Sequence, residues 1–261
     1  MLLAEDTVYT LRLASDPADL RGAQRLRYRV FVEELGAEGP LVDHAQRLER
    51  DEFDPVFDHL VLIDTRVDPA SADHVVGAYR LLPSDRLDRA GRFYSSTEYD
   101  LSALLASGRR LLELGRTCVH PDHRGGAAMF HLWNGLADYV LERDIEVLFG
   151  AASFHGTDVA ALAMPLSYLY HTHLSPPEMR VRALPPGRAE MNLIPAEQLD
   201  RAAAMKAMPA LIKAYLRLGG TVGDGAFIDR PFNTTDVCLV MDTGRMSSRH
   251  RDFYTRKKGS A

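Results

Sequence analysis

The stretch RRLLELGRTCVHPDHRGG, residues 109–126, constrains the fold more than any other part of the chain. Its first half is apolar enough to form a strand over residues 110–119, interrupted by one glycine, Gly115. Its second half passes through Pro121 and Asp122 into a helical pattern that sets Met129, Trp133, Leu136 and Val140 on one face. A strand running straight into a helix indicates an α/β layer in which helices cover a central sheet.

The rest of the sequence repeats this alternation. Further strands are expected over residues 8–13, 59–64, 74–82, 146–154 and 237–242. A first helix should start at Ser15-Asp16-Pro17, with an Asx or Ser cap and a proline in its first turn, and run to about residue 35. Another should begin near Thr157-Asp158 and contain Leu162, Leu166 and Leu169, kinked or interrupted by Pro165. The helical pattern over 197–218 should be divided at Pro209. Its second half, ALIKAYLRLGG, is expected to pack on the sheet and stop at its glycines, with apposition to a membrane as the alternative.

A chain of 261 residues with 46% hydrophobic content can bury a core of this kind. With no repeat, low-complexity segment or internal linker, the expectation is one α/β domain over residues 7–245 and a basic, flexible tail over 246–261. The opening MLLAEDTVYT lacks a basic region followed by an apolar run, and no stretch approaches the ~20 apolar residues of a membrane helix. The expected location is therefore the cytoplasm. Cys118 and Cys238 lie in apolar segments and read as reduced packing residues.

A net charge of -5 argues against nucleic acid as the partner. The charge is unevenly spread: residues 33–58 carry nine acids against two arginines, whereas 246–261 carry five Lys or Arg against Asp252. The acidic region suits a cation. The tail could dock on the anionic inner membrane surface or on an acidic protein, or serve only as a solubilising extension.

Several residues stand out chemically. In the first helix Leu20, Ala23, Arg27, Val30 and Phe31 return to one face, which places an arginine in the middle of an apolar stripe. Such a residue snorkels, pairs with an acid, or points into a cleft. Asp51 and Asp54 stand just before a strand, where paired carboxylates suit an amine substrate; a solvated acidic loop is the alternative. Glu113 and Arg116 are three apart, so a flat strand would send them to opposite faces unless a bulge at or near Gly115 intervened. Arg124, Gly125 and Gly126 open a helix whose free amides suit a phosphate. His155, His171 and His173 have no metal-ligand spacing, and AASFHG around Ser153 is not a nucleophile elbow, so neither a metal site nor a serine hydrolase is expected.

Four segments in order, RYRVFVEELG, ERDEFDPVFDH, VVGAYRLLP and LLELGRTCVHPDHR, resemble the motifs of the acyl-homoserine lactone synthase branch of the GNAT acyltransferases. Three later ones, DIEVLFGAASFHGTD, MPALIKAYLRLGG and FNTTDVCLVMDTGR, are similar to ornithine N-acyltransferases, and the resemblance spans about residues 8–245. It implies a GNAT-like mixed central sheet, flanked by helices and splayed between two parallel strands that admit an acyl-phosphopantetheine arm.

The resemblance further implies a 3-hydroxyacyl thioester on acyl carrier protein as co-substrate, L-ornithine as acceptor and no bound cofactor. By motif position it assigns Glu113 and Arg116 to catalysis and Arg27, Phe31, Asp51, Asp54 and Arg80 to the substrate. Gly115, Thr117, Val119, Arg124, Gly125 and Gly126 fall to the acyl donor. The stretch RGGAAM keeps the arginine of the usual GNAT pyrophosphate loop but places Ala127 and Met129 where later glycines stand. That departure weakens the case for coenzyme A and is compatible with acyl carrier protein, whose arm lacks the adenosine and 3′-phosphate of coenzyme A. An acyl-homoserine lactone synthase and a non-catalytic carrier-binding protein are the alternatives.

Overall fold

A computed structural model describes residues 2–5, 8–125 and 127–245 of the chain. In chain order its principal elements are β1 (Leu2–Glu5), β2 (Tyr9–Leu13), α1 (Pro17–Arg27), β3 (Asp58–Asp64), β4 (Val75–Pro83), β5 (Leu111–Val119), α2 (Ala127–Glu142), β6 (Val147–His155), α3 (Ala163–His173), α4 (Arg201–Ala207), α5 (Ala210–Arg217), β7 (Ala226–Asp229) and β8 (Thr234–Asp242). The strands expected from sequence are all present, with ends shifted by a few residues. The chain forms two compact units, one from residues up to 91 with 114–144, the other from 92–113 with residues from 145 onward.

In the first unit β1, β2, β3 and β4 pair antiparallel in that order. Alternation along β3 explains how the sheet is covered. Val61 and Ile63 join Ala23, Leu26 and Val30 in one cluster, with Val75, Ala78 and Cys118. Leu60 and Leu62 point the other way, toward Gly135 and Leu132 of α2. Gly135 is required there, because a Cβ would come within 2.4 Å of the Leu11 side chain.

The start of α1 follows its sequence: Asp16 is the N-cap, its carboxylate accepts from the Asp19 amide, and Pro17 occupies the first turn. After Arg27 the helix widens into a π-helix over Tyr28–Glu34, a change of winding that the apolar periodicity does not announce.

The second unit contains a mixed sheet. Leu111–Glu113 of β5 pair parallel with Val147–Phe149 of β6, and β6 pairs antiparallel with β8 along its length. β8 also pairs with β7 and with the short strand Thr221–Val222. Helix α3 begins at Ala163, so Pro165 falls in the first turn. There its missing N–H would have had no helical partner, so the expected kink gives way to a helix start. Pro209 separates α4 from α5 as expected. Among the described residues no helix is long and apolar enough to cross a membrane. The basic segment over 246–261 lies outside the described residues.

Candidate functional site

Three arginines and three carboxylates of the first unit interlock below its surface. Arg27, one per cent exposed, sends Nη1 and Nη2 to the two oxygens of Asp54 at 2.7 Å each, while its Nε lies 2.5 Å from Glu49. Arg80 donates to both oxygens of Asp51, at 2.6 and 2.7 Å, and to Asp54 at 3.1 Å. Arg116 reaches Glu49 at 3.1 Å through Nε and Asp51 at 3.5 Å through Nη2. Gln24 donates to Asp54 at 2.9 Å, and the His59 ring donates to the Asp54 carbonyl.

The arginine in the apolar stripe of α1 is thus paired with acids. Burial disfavours the charge on Asp54, but hydrogen bonds from Arg27 and the charges of Arg27 and Arg80 outweigh it and hold the carboxyl far below the usual range. Asp51 is shifted down as well, against burial, chiefly by Arg80. Burial likewise opposes the charge on Arg27, which Glu49 and Asp54 more than restore. Sequence reasoning missed Glu49 and Gln24. Gln24 was accessible to it, standing one helical turn before Arg27, whereas Glu49 was one acid among many.

Around this cluster, Phe31 packs against the core formed by Ala23, Leu26 and Val30. Arg116 has a positive φ of 49°, so the irregularity expected at or near Gly115 falls one residue later. Thr117 is half-buried and Val119 buried. Arg124 makes a bidentate pair with Glu34, at 2.6 Å on each arm, and its Nε donates to the Val119 carbonyl. That pair holds the Glu34 carboxyl below its ordinary range. Gly125 adopts φ 77°, a left-handed turn before α2. Gly126 lies outside the described residues.

Glu113 belongs to the second unit. Its carboxylate is buried and accepts from the amides of Tyr94 and Ser95, at 2.8 and 2.7 Å. Both donors sit in the turn Tyr94–Thr97, so the acid and the turn fix one another. Cys118 and Cys238 are buried, free thiols, and burial pushes the Cys118 thiol up to about 12. Among the described residues no cluster of His, Cys, Asp and Glu is arranged to hold a metal ion.

Comparison with known proteins gives this architecture a context. Residues 26–134 match the acetyltransferase (GNAT) domain family. The chain is 66% identical over 249 residues to an L-ornithine N(alpha)-acyltransferase of Rhodobacter capsulatus, covering 95% of both chains. It is 42% identical to an L-ornithine N(alpha)-acyltransferase of Brucella abortus, over 94% of this chain and 88% of that one. Among solved structures, the CoA-dependent acyl-homoserine lactone synthase BjaI shares the fold with a TM-score of 0.53 at 15% identity, over 96% of this chain and 90% of that one.

Proposed function

The chain belongs to the L-ornithine N(alpha)-acyltransferase family and is an acyltransferase of GNAT fold, and on that premise we propose that it moves a 3-hydroxyacyl chain from acyl carrier protein to the α-amine of L-ornithine, giving lyso-ornithine lipid. The observation that carries this reading is the 66% identity that runs through 95% of the chain, well beyond the matched GNAT segment.

In the proposed reaction the neutral α-amine attacks the thioester carbonyl. A C–N bond forms, the C–S bond breaks, and the carrier thiolate leaves with a proton, without a covalent enzyme intermediate. Holding the two reactants together supplies much of the acceleration. Glu113 takes the amine's proton, directly or through water; supporting this is a carboxylate whose direction is set by two amides. Arg124 meets the phosphate of the pantetheine arm by giving up its pair with Glu34. No cofactor takes part.

The charge-balanced cluster of Arg27, Arg80, Arg116, Glu49, Asp51 and Asp54 holds the segment between α1 and β3 in one shape. Apolar side chains would stabilise such an interior as well or better. The presence of six charges there supports a functional reason for them. The enzyme is proposed to work in the cytoplasm, next to the inner membrane surface where its product belongs.

The test is to offer purified protein 3-hydroxyacyl, unsubstituted acyl and coenzyme A thioesters with ornithine, then locate the amide by mass spectrometry. An Nα-acyl product formed fastest from the 3-hydroxyacyl carrier protein is expected. Acylation only from coenzyme A, only at the side-chain amine, or of no amino acid would each contradict the proposal.

A further inference from the structure

The second unit contains a second group of acids, to which sequence reasoning gave no role. Among its described residues the buried charged side chains are Glu98, Glu113 and Asp236, all carboxylates. Strand pairing shows how they are arranged. Asp236 lies directly opposite Ser153 in the β6–β8 ladder, Thr234 opposite His155 and Cys238 opposite Ala151. Opposed residues share a face, as do residues two apart, so Thr234, Asp236, Cys238, Ser153 and His155 all look out from one side of the sheet.

Tyr99 lies over that face. Its ring tilts against Phe227, which pairs with Asp236, and its hydroxyl donates to the Asp236 carbonyl at 2.9 Å. Burial, followed by the charges of Asp236 and Cys238 and then of Glu98 and Asp229, pushes the Tyr99 hydroxyl upward. At the other end of the row, burial and then the charges of Glu113 and Glu98 push up the Cys238 thiol against a hydrogen bond at Gly150. Glu113 shares this face, since it pairs with Phe149, two residues before the Ala151 that lies opposite Cys238, and Glu98 adjoins Tyr99 in the chain.

A separate observation marks the same patch as built for a ligand. The hydroxyl of Thr234 is buried and without a hydrogen-bond partner, on a residue only six per cent exposed. It stands beside Asp236 on the same face. A buried hydroxyl left unpaired is costly, and it can accept a hydrogen bond from a donor that enters the site. Ser153 and His155, across the ladder from Asp236 and Thr234, are exposed and open this end of the row to solvent.

From this geometry we infer that Asp236, assisted by Glu98 and the Thr234 hydroxyl, receives the side-chain ammonium of a diamino-acid acceptor. The inference rests on the acyl-ornithine reading above and adds the binding residues for the cationic end of the substrate. Spacing along β8 supports it. Successive residues on one face are about 7 Å apart, which suits the five-bond span between the two amines of ornithine. With the ammonium at Asp236, the α-amine falls toward Cys238 and so toward Glu113. Ammonium to carboxylate is a charge-assisted contact with three donors to place, and Thr234 accepts one of them.

The test compares ornithine with norvaline, the same amino acid without its side-chain amine, as acceptors for wild type, Asp236→Asn and Thr234→Val. Loss of one charge-assisted hydrogen bond in a buried site corresponds to about a 10- to 100-fold change. Asp236→Asn is expected to lower the ratio of kcat/KM for ornithine over norvaline by about that factor, with the KM for acyl donor unchanged. Thr234→Val, which keeps shape and removes only the hydroxyl, should lower the same ratio less, and it decides the matter if Asp236→Asn fails to fold. An unchanged ratio in folded variants overturns the inference and leaves the acyl-ornithine reading standing. Wild type that makes no acyl-ornithine overturns that reading, and the inference with it.

Discussion

The two units bury charge in opposite ways. In the first, Arg27, Arg80 and Arg116 meet Glu49, Asp51 and Asp54, and the oxygens of Asp54 alone take three contacts from arginines and one from Gln24. In the second, the buried charged side chains among the described residues are carboxylates, set beside a hydroxyl that lacks a partner. A balanced cluster compensates its charges within itself. The acidic face of the second unit is the one proposed above to receive the substrate's cation. The difference teaches that a run of acids in a sequence segment does not by itself say how its charge is balanced; what matters is which arginines the fold brings to them.

The largest expected effect that could break this comparison lies at Glu113. Glu113→Gln should lower kcat by about 10² to 10⁴-fold if the carboxylate takes the amine's proton. The amide would also turn its NH₂ group toward the Tyr94 or Ser95 amide, loosening the turn, so a melting temperature should be measured alongside turnover. Full turnover at saturating substrates would exclude Glu113 as the base.

Stability should respond most at the first unit's cluster. Asp54→Ala leaves Arg27 and Arg80 buried with less compensation, and breaking a buried pair in this way costs about 3–5 kcal/mol, readable by chemical denaturation. The same cluster sets an acid limit. The Asp54 and Asp51 carboxyls are held below their ordinary range in the folded chain, so their stabilisation is fully present above about pH 4 and is lost as pH falls through the depressed values. Stability of wild type should therefore fall below about pH 4 more steeply than that of Asp54→Asn.

Smaller effects sharpen the contrast at the surface. Arg124 and Glu34 are both partly exposed, so Arg124→Ala should change stability by at most about 1 kcal/mol. It should raise the KM for the acyl donor and leave that for ornithine unaltered. Smallest of all, Cys118 and Cys238 should stay unreactive toward a thiol reagent at pH 8 in the folded protein and react fully in denaturant, since both are buried and their thiols are shifted upward.

Much of the fold was legible because it follows local rules. The strand alternation, the Asp16-Pro17 helix start and the break at Pro209 depend on residues close in sequence. The π-helical winding after Arg27 and the strands β1 and β7 carried no such signal. Of the side chains in the first unit's cluster, Arg27 announced itself as a charge within an apolar stripe, and Asp51 and Asp54 as neighbouring acids. Their mutual contacts did not, since they join residues 24–27, 49–54, 80 and 116 through tertiary packing. Thr234 and Asp236 stand in the polar opening of β8, ahead of its apolar run over 237–241. Their common face becomes visible only once β6 is paired beside them.

The contrast between the two acidic regions is tested most directly by measuring the KM for ornithine and the melting temperature of Asp54→Asn and Asp236→Asn side by side. The expected result is a large fall in melting temperature with little change in ornithine KM for Asp54→Asn, and a rise in ornithine KM of about 10-fold or more for Asp236→Asn. A raised ornithine KM in Asp54→Asn, with Asp236→Asn binding ornithine as wild type does, would contradict it and return the substrate cation to the first unit.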